Sequence, residues 1–369
     1  MYIEKLSLMN YRNYSQLNLN LHPKMNIIVG PNAQGKTNII ESIYYLSIGK
    51  SHRNNKDREI IKWEKENAYI KGNIITNNGD KIIEIGLSHN QKKRIKSNGV
   101  LLDKVGDLLG KVNILLFSPE DLKLIKEGPI ERRNFLDREI SNIKPQYYYA
   151  LLEYNKILQQ RNHLLKKIII KESLKETISV WDEQLIDIGA KIIQTRIYFL
   201  KKINNMAKKL HREITDDKED LELFYQSTIL SSQEDIKNIK ELFRRRLERN
   251  EKLDIYRGST SVGPHRDDIK ININKIDIRS FGSQGQQRTA ALSLKLSIFD
   301  LIYSEVGELP ILLLDDVMSE LDQNRQQKLI KSLGNVQSFI TCTDLNFLEH
   351  MNNQEKEIFR IKSGRIVSD

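Results

Sequence analysis

The feature that most constrains this chain is the octapeptide GPNAQGKT, from Gly30 to Thr37. It matches the P-loop pattern GxxxxGK[ST], in which backbone N–H groups wrap phosphates, a lysine reaches the terminal phosphates and a hydroxyl group holds Mg²⁺. An apolar run at 25–29 precedes it, and four apolar residues follow at helical spacing, namely Ile39, Ile40, Ile43 and Leu46. The order of strand, glycine loop and helix predicts an ATP site that uses Lys36 and Thr37.

Composition narrows the class of protein. The chain has 369 residues, of which 39% are hydrophobic, enough for a real core and for roughly two to three domains. A formal net charge of +10 fits a polyanionic partner, although a solvated lysine-rich surface would give the same balance. The lone cysteine, Cys342, excludes a disulfide framework. Because we find neither a signal segment nor a long uncharged apolar run, we expect a cytoplasmic protein with no membrane partner.

Hydrophobic periodicity predicts β structure around the P-loop. Alternation at 17–21 indicates a half-buried antiparallel strand ahead of the loop. Short β segments over 69–117 surround Asn78-Gly79 and Asn98-Gly99, which are dipeptides that favour type I′ hairpin turns. The basic segment 92–96 between them is either a phosphate contact or a protected sheet edge.

The middle of the chain is predicted to be helical. From about 131 to 250 strand signals are weak, and apolar residues recur at steps of three and four from Trp181 to Leu210. This pattern predicts one helix of about 30 residues, and a leucine repeat over 151–165 predicts a second helix that pairs with it antiparallel. Basic clusters at 166–167, 201–202, 208–209 and 244–246 are solvated faces individually, but together they suit a lobe that tracks phosphates.

The end of the chain returns to strands and supplies a second acidic motif. Ile311 to Leu314 leads into Asp315 and Asp316, and Asp315 follows Thr37 by 278 positions. An apolar strand ending in an acid is where P-loop proteins place a magnesium ligand, so Asp315 is the predicted metal carboxylate. Asp316 either polarises the attacking water or caps a turn. A terminal hairpin is expected about Ser363-Gly364.

The long separation between the two motifs predicts a split domain, because one crossover unit needs far fewer residues. We therefore expect an α/β fold, with a P-loop ATPase head of mixed sheet and antiparallel β subdomain at 1–118 and 252–369. An inserted helical lobe is expected at 119–251. The segment SQGQQR adds a second predicted anion site, since Ser283 can cap a helix and Gly285 lets its first N–H groups approach phosphate. Either this site closes over the nucleotide of a partner chain in a symmetric dimer, or it is a plain helix cap.

Seven motifs, in this order and at these intervals, carry a family resemblance: YRNY, GPNAQGKT, FSPEDL, RRNFLD, GPHRDD, SQGQQR and LLLDDVMSELD. Across its whole length the chain resembles the RecF family, which belongs with the SMC and Rad50 group of ABC-type ATPases. The resemblance implies an ATP- and Mg²⁺-dependent homodimer that hydrolyses ATP slowly and binds duplex DNA at single-strand gaps. It also implies action with RecO and RecR in loading RecA, and a part in the SOS response.

The resemblance also assigns residues by motif. It implies catalytic roles for Lys36, Asp315 and Asp316, and metal ligation by Thr37 and Asp315. The implied nucleotide contacts are Arg12, Asn13, Gly30, Pro31, Asn32, Ala33, Gln34, Gly35, Lys36, Thr37, Ser283, Gly285 and Gln286. From the residues alone, a turn between strands is favoured for Arg12 and Asn13 over a nucleotide contact.

Some positions depart from the wider ABC pattern. Aspartate stands at 316 where most ABC ATPases have glutamate, which leaves Glu320 as a second candidate base. Ser319 to Asp322 resembles the D-loop that crosses the dimer interface. Thr343 or Asp344 stands near the place of the usual switch histidine.

Three other functions fit less well. A chromosome-organising or Rad50-like head needs a longer insertion with a hinge, and a transporter ATPase subunit needs its motifs closer together and a membrane partner. An ATP-dependent nuclease needs another acidic cluster, and Asp267-Asp268 is better explained as strand-edge structure.

Overall fold

The computed structural model describes residues 1–53, 56–231, 233–318, 326, 329, 336–345 and 355–367, with the side chains of 233–235 set aside. The chain forms two compact units, one of residues 1–121 and 298–369 and one of residues 122–297. The first boundary lies close to the expected one at 118/119. The second falls at 297/298 rather than 251/252, because the segment after 252 contributes strands and a helix that pack in the second unit.

The first unit holds two six-stranded sheets. One is antiparallel, in the order β2-β1-β4-β5-β6-β7, and is built from β1 (Tyr2–Tyr11), β2 (Tyr14–Asn20), β4 (Asn67–Ile75), β5 (Lys81–Ser88), β6 (Arg94–Ser97) and β7 (Val100–Leu101). The other has the order β15-β14-β3-β13-β12-β8. Its strands are β3 (Met25–Val29), β8 (Ile114–Phe117), β12 (Ile311–Leu314), β13 (Ser338–Cys342), β14 (Lys356–Lys362) and β15 (Arg365–Val367).

The P-loop helix α1 (Lys36–Ile48) lies in the core between these sheets. The predicted apolar face is buried, but so are Tyr44 and Tyr45 on other faces of the helix. Sheet and helix approach closely at Gly72, where a Cβ atom would stand 2.5 Å from Leu46 Cδ1. A helix that is buried on all its faces is stabilised by tertiary packing rather than by the helix propensity of its residues. This packing fixes the position of the first turn of α1, which follows the glycine loop.

Turn predictions were confirmed in part. Asn98 and Gly99 both have positive φ, at 51° and 79°, and join β6 to β7 as a two-residue turn. In the loop between β4 and β5, Gly79 alone has positive φ, because the loop is longer and is closed by Thr76 bonding to Gly79. The terminal hairpin is confirmed, with positive φ at Ser363 and Gly364 between β14 and β15.

The second unit is mainly helical. Its helices are α2 (Lys123–Lys126), α3 (Pro129–Ile143), α4 (Pro145–Ile168), α5 (Ile178–Thr215), α6 (Ile239–Arg257), α7 (Ile278–Phe281) and the first part of α8 (Gln284–Val306). The predicted long helix is confirmed and is longer than expected, with 38 residues in α5. The antiparallel pairing of α4 and α5 is confirmed as well, because Tyr147 contacts Arg196 while Arg161 contacts Asp182.

A three-stranded antiparallel sheet completes this unit, from β9 (Leu221–Gln226), β10 (Asp268–Ile273) and β11 (Ile276–Asp277). The strand β9 lies inside the region that was expected to lack strands. Its six residues are too short for periodicity to separate them from the helices around them, and pairing with β10 decides their conformation. No helix in the described part of the chain is long and apolar enough to cross a membrane.

Candidate functional site

The P-loop occupies the six residues between β3 and α1. Ala33 and Gly35 have positive φ, at 64° and 113°, so the backbone turns through the left-handed region twice. The backbone N–H groups of residues 33–37 bind no other backbone group in the described part of the chain. A run of such donors at a helix N-terminus is suited to bind phosphate.

The two motif glycines are also required by the protein itself. A Cβ atom on Gly30 would lie 2.4 Å from the carbonyl oxygen of Ile361, and one on Gly35 would lie 2.5 Å from Asn13 Nδ2. Neighbouring backbone and side chains therefore close the loop from behind.

Lys36 is held beneath the loop. Its side chain is almost buried, with 4% of the residue exposed, and its Nζ donates to the carbonyl oxygens of Gly30 and Pro31 at 2.7 and 3.1 Å. These bonds keep the ammonium group at the base of the loop, where a bound anion would gain most from it because little water screens the charge.

Thr37 and Asp315 meet across the length of the chain. The Thr37 hydroxyl group donates to Asp315 Oδ1 at 3.0 Å. Neighbouring oxygen ligands of an octahedral Mg²⁺ at about 2.0–2.1 Å lie roughly 2.9 Å apart, so this pair fits two adjacent positions of such an ion. Burial raises the pKa of Asp315, and the hydrogen bonds from Thr341 and Thr37 oppose that rise without cancelling it.

The strand that carries Asp315 is not next to the P-loop strand. Parallel pairing places β13 between β3 and β12, so one strand separates the P-loop strand from the strand that precedes Asp315. Thr341, on β13, fills the gap: its hydroxyl group donates to Asp315 Oδ1 at 2.9 Å and accepts from the Asp316 backbone N–H at 2.8 Å. Sequence reasoning missed Thr341, since only the strand order places it between the motifs.

Asp316 occupies a strained position directly after β12. Its φ is 54°, which is uncommon for any residue other than glycine, and the bond from its N–H to Thr341 fixes it there. Such strain is often found at functional sites. The Thr341 hydroxyl group also lies 3.5 Å from Asp316 Oδ1.

Asn13 braces the P-loop from below. Its Nδ2 donates to the Gln34 carbonyl oxygen at 2.9 Å, and its Oδ1 accepts from Asn38 Nδ2 at 2.8 Å. The terminal hairpin adds two further bonds to Gln34, from the N–H groups of Ser363 and Gly364. The side chain of Asn13 therefore supports the loop backbone that is expected to hold the nucleotide.

Arg12 is fixed by an acid that sequence reasoning missed. Its Nε and Nη2 donate to the two carboxylate oxygens of Glu41 at 2.8 and 2.6 Å, and its Nη1 donates to the Glu59 carbonyl oxygen. Glu41 is fully buried on α1 and also accepts from the Tyr11 and Ser51 hydroxyl groups. Burial alone would raise the pKa of Glu41, but the hydrogen bonds from Arg12 and Ser51 outweigh it and the pKa is lowered.

Arg53 is a further cation at the mouth of the loop. Its Nη1 lies 3.4 Å from Asn38 Oδ1, and its backbone N–H bonds to the Ser51 hydroxyl group. Its charge lowers the pKa of Asp315, against the larger effect of burial. The contact with Asn38, on α1, brings the guanidinium group near the P-loop.

The SQGQQR segment begins α8 with a reciprocal cap. Ser283 Oγ accepts from the Gln286 backbone N–H at 3.2 Å, while Gln286 Oε1 accepts from the Ser283 backbone N–H at 2.9 Å. This is a capping box, and it fixes where the helix starts. A Cβ atom on Gly285 would meet only Ser283 Oγ, at 3.9 Å, so nothing in the described chain requires glycine at this position.

Within the second unit, a chain of polar contacts starts at Gln286. Gln286 Nε2 donates to Glu219 Oε1 at 3.0 Å, and Glu219 Oε2 lies 3.1 Å from His211 Nε2 on α5. His211 is fully buried, and its Nδ1 lies 3.0 Å from Ser293 Oγ on α8. These contacts fix the orientation of the Gln286 side chain.

The acidic pair Asp267-Asp268 is structural, as expected. Asp268 begins β10 and forms a two-point ion pair with Arg132, at 2.8 and 2.9 Å. Asp267 is 1% exposed and accepts from Tyr225 and from Thr228. In the residues that the structure describes, no cluster of three or more His, Cys, Asp or Glu side chains could hold a metal.

The remaining predicted positions lie near the end of the chain. Ser319 to Asp322, including Glu320, fall outside the described residues. Thr343 and Asp344 follow β13 and are exposed, with the Thr343 hydroxyl group 3.4 Å from Asp344 Oδ2. Both stand one strand away from Asp316, because β13 neighbours β12.

Comparison with known proteins gives a consistent result over the whole chain. Residues 2–366 match the model of the RecF/RecN/SMC N terminal domain family. The chain is 50% identical to the DNA replication and repair protein RecF of Alkaliphilus oremlandii, over 99% of this chain and 100% of that protein. It is 46% identical to the protein of the same description from Clostridium tetani, over 100% of both chains.

Solved structures agree. A structure of the recombination mediator protein RecF with ATP, from the RecFOR pathway, superposes with a TM-score of 0.92 at 41% identity, covering 99% of this chain and 97% of that one. An SMC head bound to the C-terminal winged-helix domain of ScpA superposes with a TM-score of 0.59 at 16% identity, covering 100% of this chain and 97% of that one. The expected fold class, a split ABC-type ATPase head with a helical lobe, is confirmed.

Proposed function

The chain belongs to the RecF family, and from that premise we propose that it is an ATP-driven, DNA-binding switch in DNA replication and repair. The observation that carries the proposal is the Thr37–Asp315 contact of 3.0 Å between residues 278 positions apart. It joins the P-loop to the predicted metal carboxylate within a single chain. A relative with 41% identity has been solved with ATP, which supports the same ligand here.

The residues of this chain have distinct parts in the proposed reaction. The N–H groups of the P-loop and the ammonium group of Lys36 would bind the phosphates, and Thr37 and Asp315 would hold Mg²⁺, which would offset the negative charge of the phosphates. Asp316, fixed by Thr341, accepts a proton from the attacking water. Because aspartate is shorter than glutamate, its reach to that water is less favourable, and we infer slow hydrolysis that times a switch.

We infer that a second copy of the chain completes the site. The N-terminus of α8 offers N–H groups capped by Ser283 and a helix of 23 residues whose dipole favours an anion. The open space beside Gly285 leaves room for close approach of a phosphate. In this proposal each nucleotide is bound by the P-loop of one copy and by Ser283 to Gln286 of the other.

We propose duplex DNA next to a single-strand gap as the polyanionic partner, in keeping with the net charge of +10. A relative solved as a mediator of the RecFOR pathway supports RecO and RecR as protein partners, with RecA loading and SOS induction downstream. ATP-bound dimers grip DNA in this proposal, and hydrolysis releases it. We assign the switch to the cytoplasm, where its DNA lies.

A second candidate within the fold is an SMC- or Rad50-like head that organises DNA through a long coiled coil. The helices α4 and α5 have 24 and 38 residues, which is far shorter than such an arm requires. The spacing of the motifs in this chain disfavours a transporter subunit, because the whole second unit lies between the P-loop and Asp315.

A complementation experiment tests the composite site. Lys36→Ala is expected to abolish ATP-driven dimerisation by removing the phosphate ligand, and Ser283→Arg is expected to leave ATP binding intact while blocking closure. Mixing the two variants should restore one working site per dimer, which sedimentation velocity with and without ATP would detect. Normal dimerisation of Ser283→Arg alone would refute the role across subunits.

A binding experiment tests the DNA part separately. Gapped, duplex and single-stranded DNA are titrated at 50 and 200 mM salt, with and without ATP. If about six to ten phosphates are contacted, affinity should fall by about 10³ to 10⁵ over that range. A DNA affinity that does not change with salt concentration, or does not change when ATP is added, would contradict the proposal.

A further inference from the structure

Between residues 188 and 212, one outer face of α5 carries positive charge without any acidic residue, whereas Glu183 and Asp187 lie on the same side of the helix before it. With about 100° between successive residues, the face covers roughly 100° of the helix surface. We name it the basic stripe, and its members are Lys191, Gln194, Tyr198, Lys201, Lys202, Asn205, Lys209 and Arg212. Residues 188–212 include no Asp or Glu. Every member is exposed except Lys202, which is partly exposed.

The charge of the stripe is only lightly neutralised by the protein. Within the described residues, Lys191 and Lys201 take part in no ion pair. Lys209 lies 3.9 Å from Glu213, and with side-chain exposures of 80% and 59% this pair has little energetic value. Arg212 is paired with Asp220, but half of its side chain remains exposed.

Other basic clusters of the second unit differ from the stripe. Lys208 is paired with both Asp220 and Glu222, and Arg244 is paired with both Glu183 and Glu241. Their charge is therefore balanced at short range. The clusters that looked alike in the sequence therefore differ: Lys208 and Arg244 are each paired with two acids, whereas Lys191 and Lys201 form no ion pair with the residues that the structure describes.

The length of the stripe suits a long, straight anion. From Lys191 to Arg212 it spans about 32 Å at 1.5 Å per residue. Duplex DNA advances about 3.4 Å per base pair, so this length corresponds to about nine base pairs. Tyr198 lies in the row, with Lys202 Nζ 4.7 Å from its ring centre, and Gln194 and Asn205 add hydrogen-bond donors that suit phosphate oxygens.

We propose that the basic stripe of α5 binds the sugar-phosphate backbone of duplex DNA. The assignment rests on the proposed DNA-binding function and adds the surface through which binding occurs. The row has cations, amides and a tyrosine on a rigid helix but no acidic residue, and such contacts position a duplex without reading its sequence. A single strand is disfavoured as the ligand, because it is flexible and gains less from a straight rigid row.

The test replaces the three exposed lysines of the stripe, in the variant Lys191→Gln, Lys201→Gln, Lys209→Gln. The control variant, Lys126→Gln, Lys156→Gln, Lys175→Gln, changes net charge equally at exposed sites of the same unit outside the stripe. Exposed lysine and glutamine have similar helix propensity, so both variants should melt as the wild type does. ATP-driven dimerisation by sedimentation should also be unchanged in both.

The readout is the anisotropy of a labelled duplex against salt concentration, with ATP present. Each lost phosphate contact reduces the magnitude of the slope of log K against log salt by about 0.9, so three lost contacts should reduce the magnitude of the slope by about 2.7 in the stripe variant. At 100 mM salt this corresponds to about 10² to 10³ times weaker binding. The control should keep a slope close to that of the wild type.

Two results would overturn the assignment. An unchanged slope in the stripe variant would show that the stripe faces something else, such as an acidic protein. Equal losses in both variants would show that net charge alone governs binding. A wild-type protein that binds no DNA would instead refute the proposed function itself, which is a distinguishable outcome.

Discussion

Replacing Glu41 with glutamine tests how the P-loop helix holds Arg12. Each carboxylate oxygen of Glu41 accepts from one nitrogen of Arg12, at 2.6 and 2.8 Å. A glutamine side chain has one acceptor oxygen and one NH₂ group, and arginine has no acceptor. Whichever way the amide is oriented, one N–H of Arg12 therefore faces another donor in a site where residue 41 is fully buried.

The expected cost is large. Removing one partner of a buried ion pair typically destabilises by about 3–5 kcal/mol, and Arg12 keeps only 16% of its side chain exposed. For a unit of this size each kcal/mol lowers the melting temperature by about 2–4 °C, which gives a drop of about 6–20 °C. Calorimetry of the wild type and the Glu41→Gln variant would measure it.

Two controls make the reasoning testable. Glu84→Gln is a matched change in the same unit, where the carboxylate binds the Tyr69 hydroxyl group on a sheet face, and it should cost less than about 1 kcal/mol. Combining Glu41→Leu with Arg12→Met should recover part of the lost stability, because both charges leave together while the Tyr11 and Ser51 hydroxyl groups lose their acceptor. A Glu41→Gln variant that melts within 2 °C of the wild type would refute the two-point ion pair.

Three further predictions concern the P-loop and signature glycines, Thr341 and His265. Gly35→Ala should cost about 1–3 kcal/mol because φ is 113° there, whereas Gly285→Ala should leave melting unchanged and impair only ATP-driven dimerisation, as calorimetry and sedimentation would show. Thr341→Val should slow ATP hydrolysis more than it weakens ATP binding, because it frees the N–H of Asp316; equal losses in both assays would contradict this. Burial lowers the pKa of His265 to about 4, so as pH falls the unfolded chain takes up a proton before the folded chain does. The free energy of unfolding should therefore decrease as pH drops from 6.5 toward 4, by up to about 1.4 kcal/mol per pH unit. Urea unfolding of the wild type and of His265→Gln over this pH range would measure the decrease.

The tautomer of His265 follows from its contacts. Its Nε2 lies 3.1 Å from the Thr260 carbonyl oxygen, which can only accept, so Nε2 carries the proton. Nδ1 then accepts from the Tyr154 hydroxyl group at 2.8 Å. A second proton on the ring would have to displace that bond, in agreement with the direction of the pKa change.

The local sequence pattern was sufficient to predict the loop, the helix and the strand that make up the candidate site. The P-loop glycines, the helix after them and the acid after β12 are each signalled within a few residues of sequence, because phosphate binding and strand burial act locally. The length and apolar face of α5 were accessible for the same reason. The short strand β9 was not, since six residues give too little periodicity and its pairing partner lies more than 40 positions away.

The sequence by itself determined which groups handle phosphate and metal, from Lys36 and Thr37 to Asp315. Tertiary structure alone decided how those groups are held, through Thr341 between two acids, Glu41 behind Arg12, and the terminal hairpin against Gln34. It also decided that Lys191 and Lys201 form no ion pair with the residues that the structure describes, whereas Lys208 is paired with two acids. Periodicity shows which face of an element is buried, but a hydrogen bond or ion pair between distant residues depends on strand order and packing.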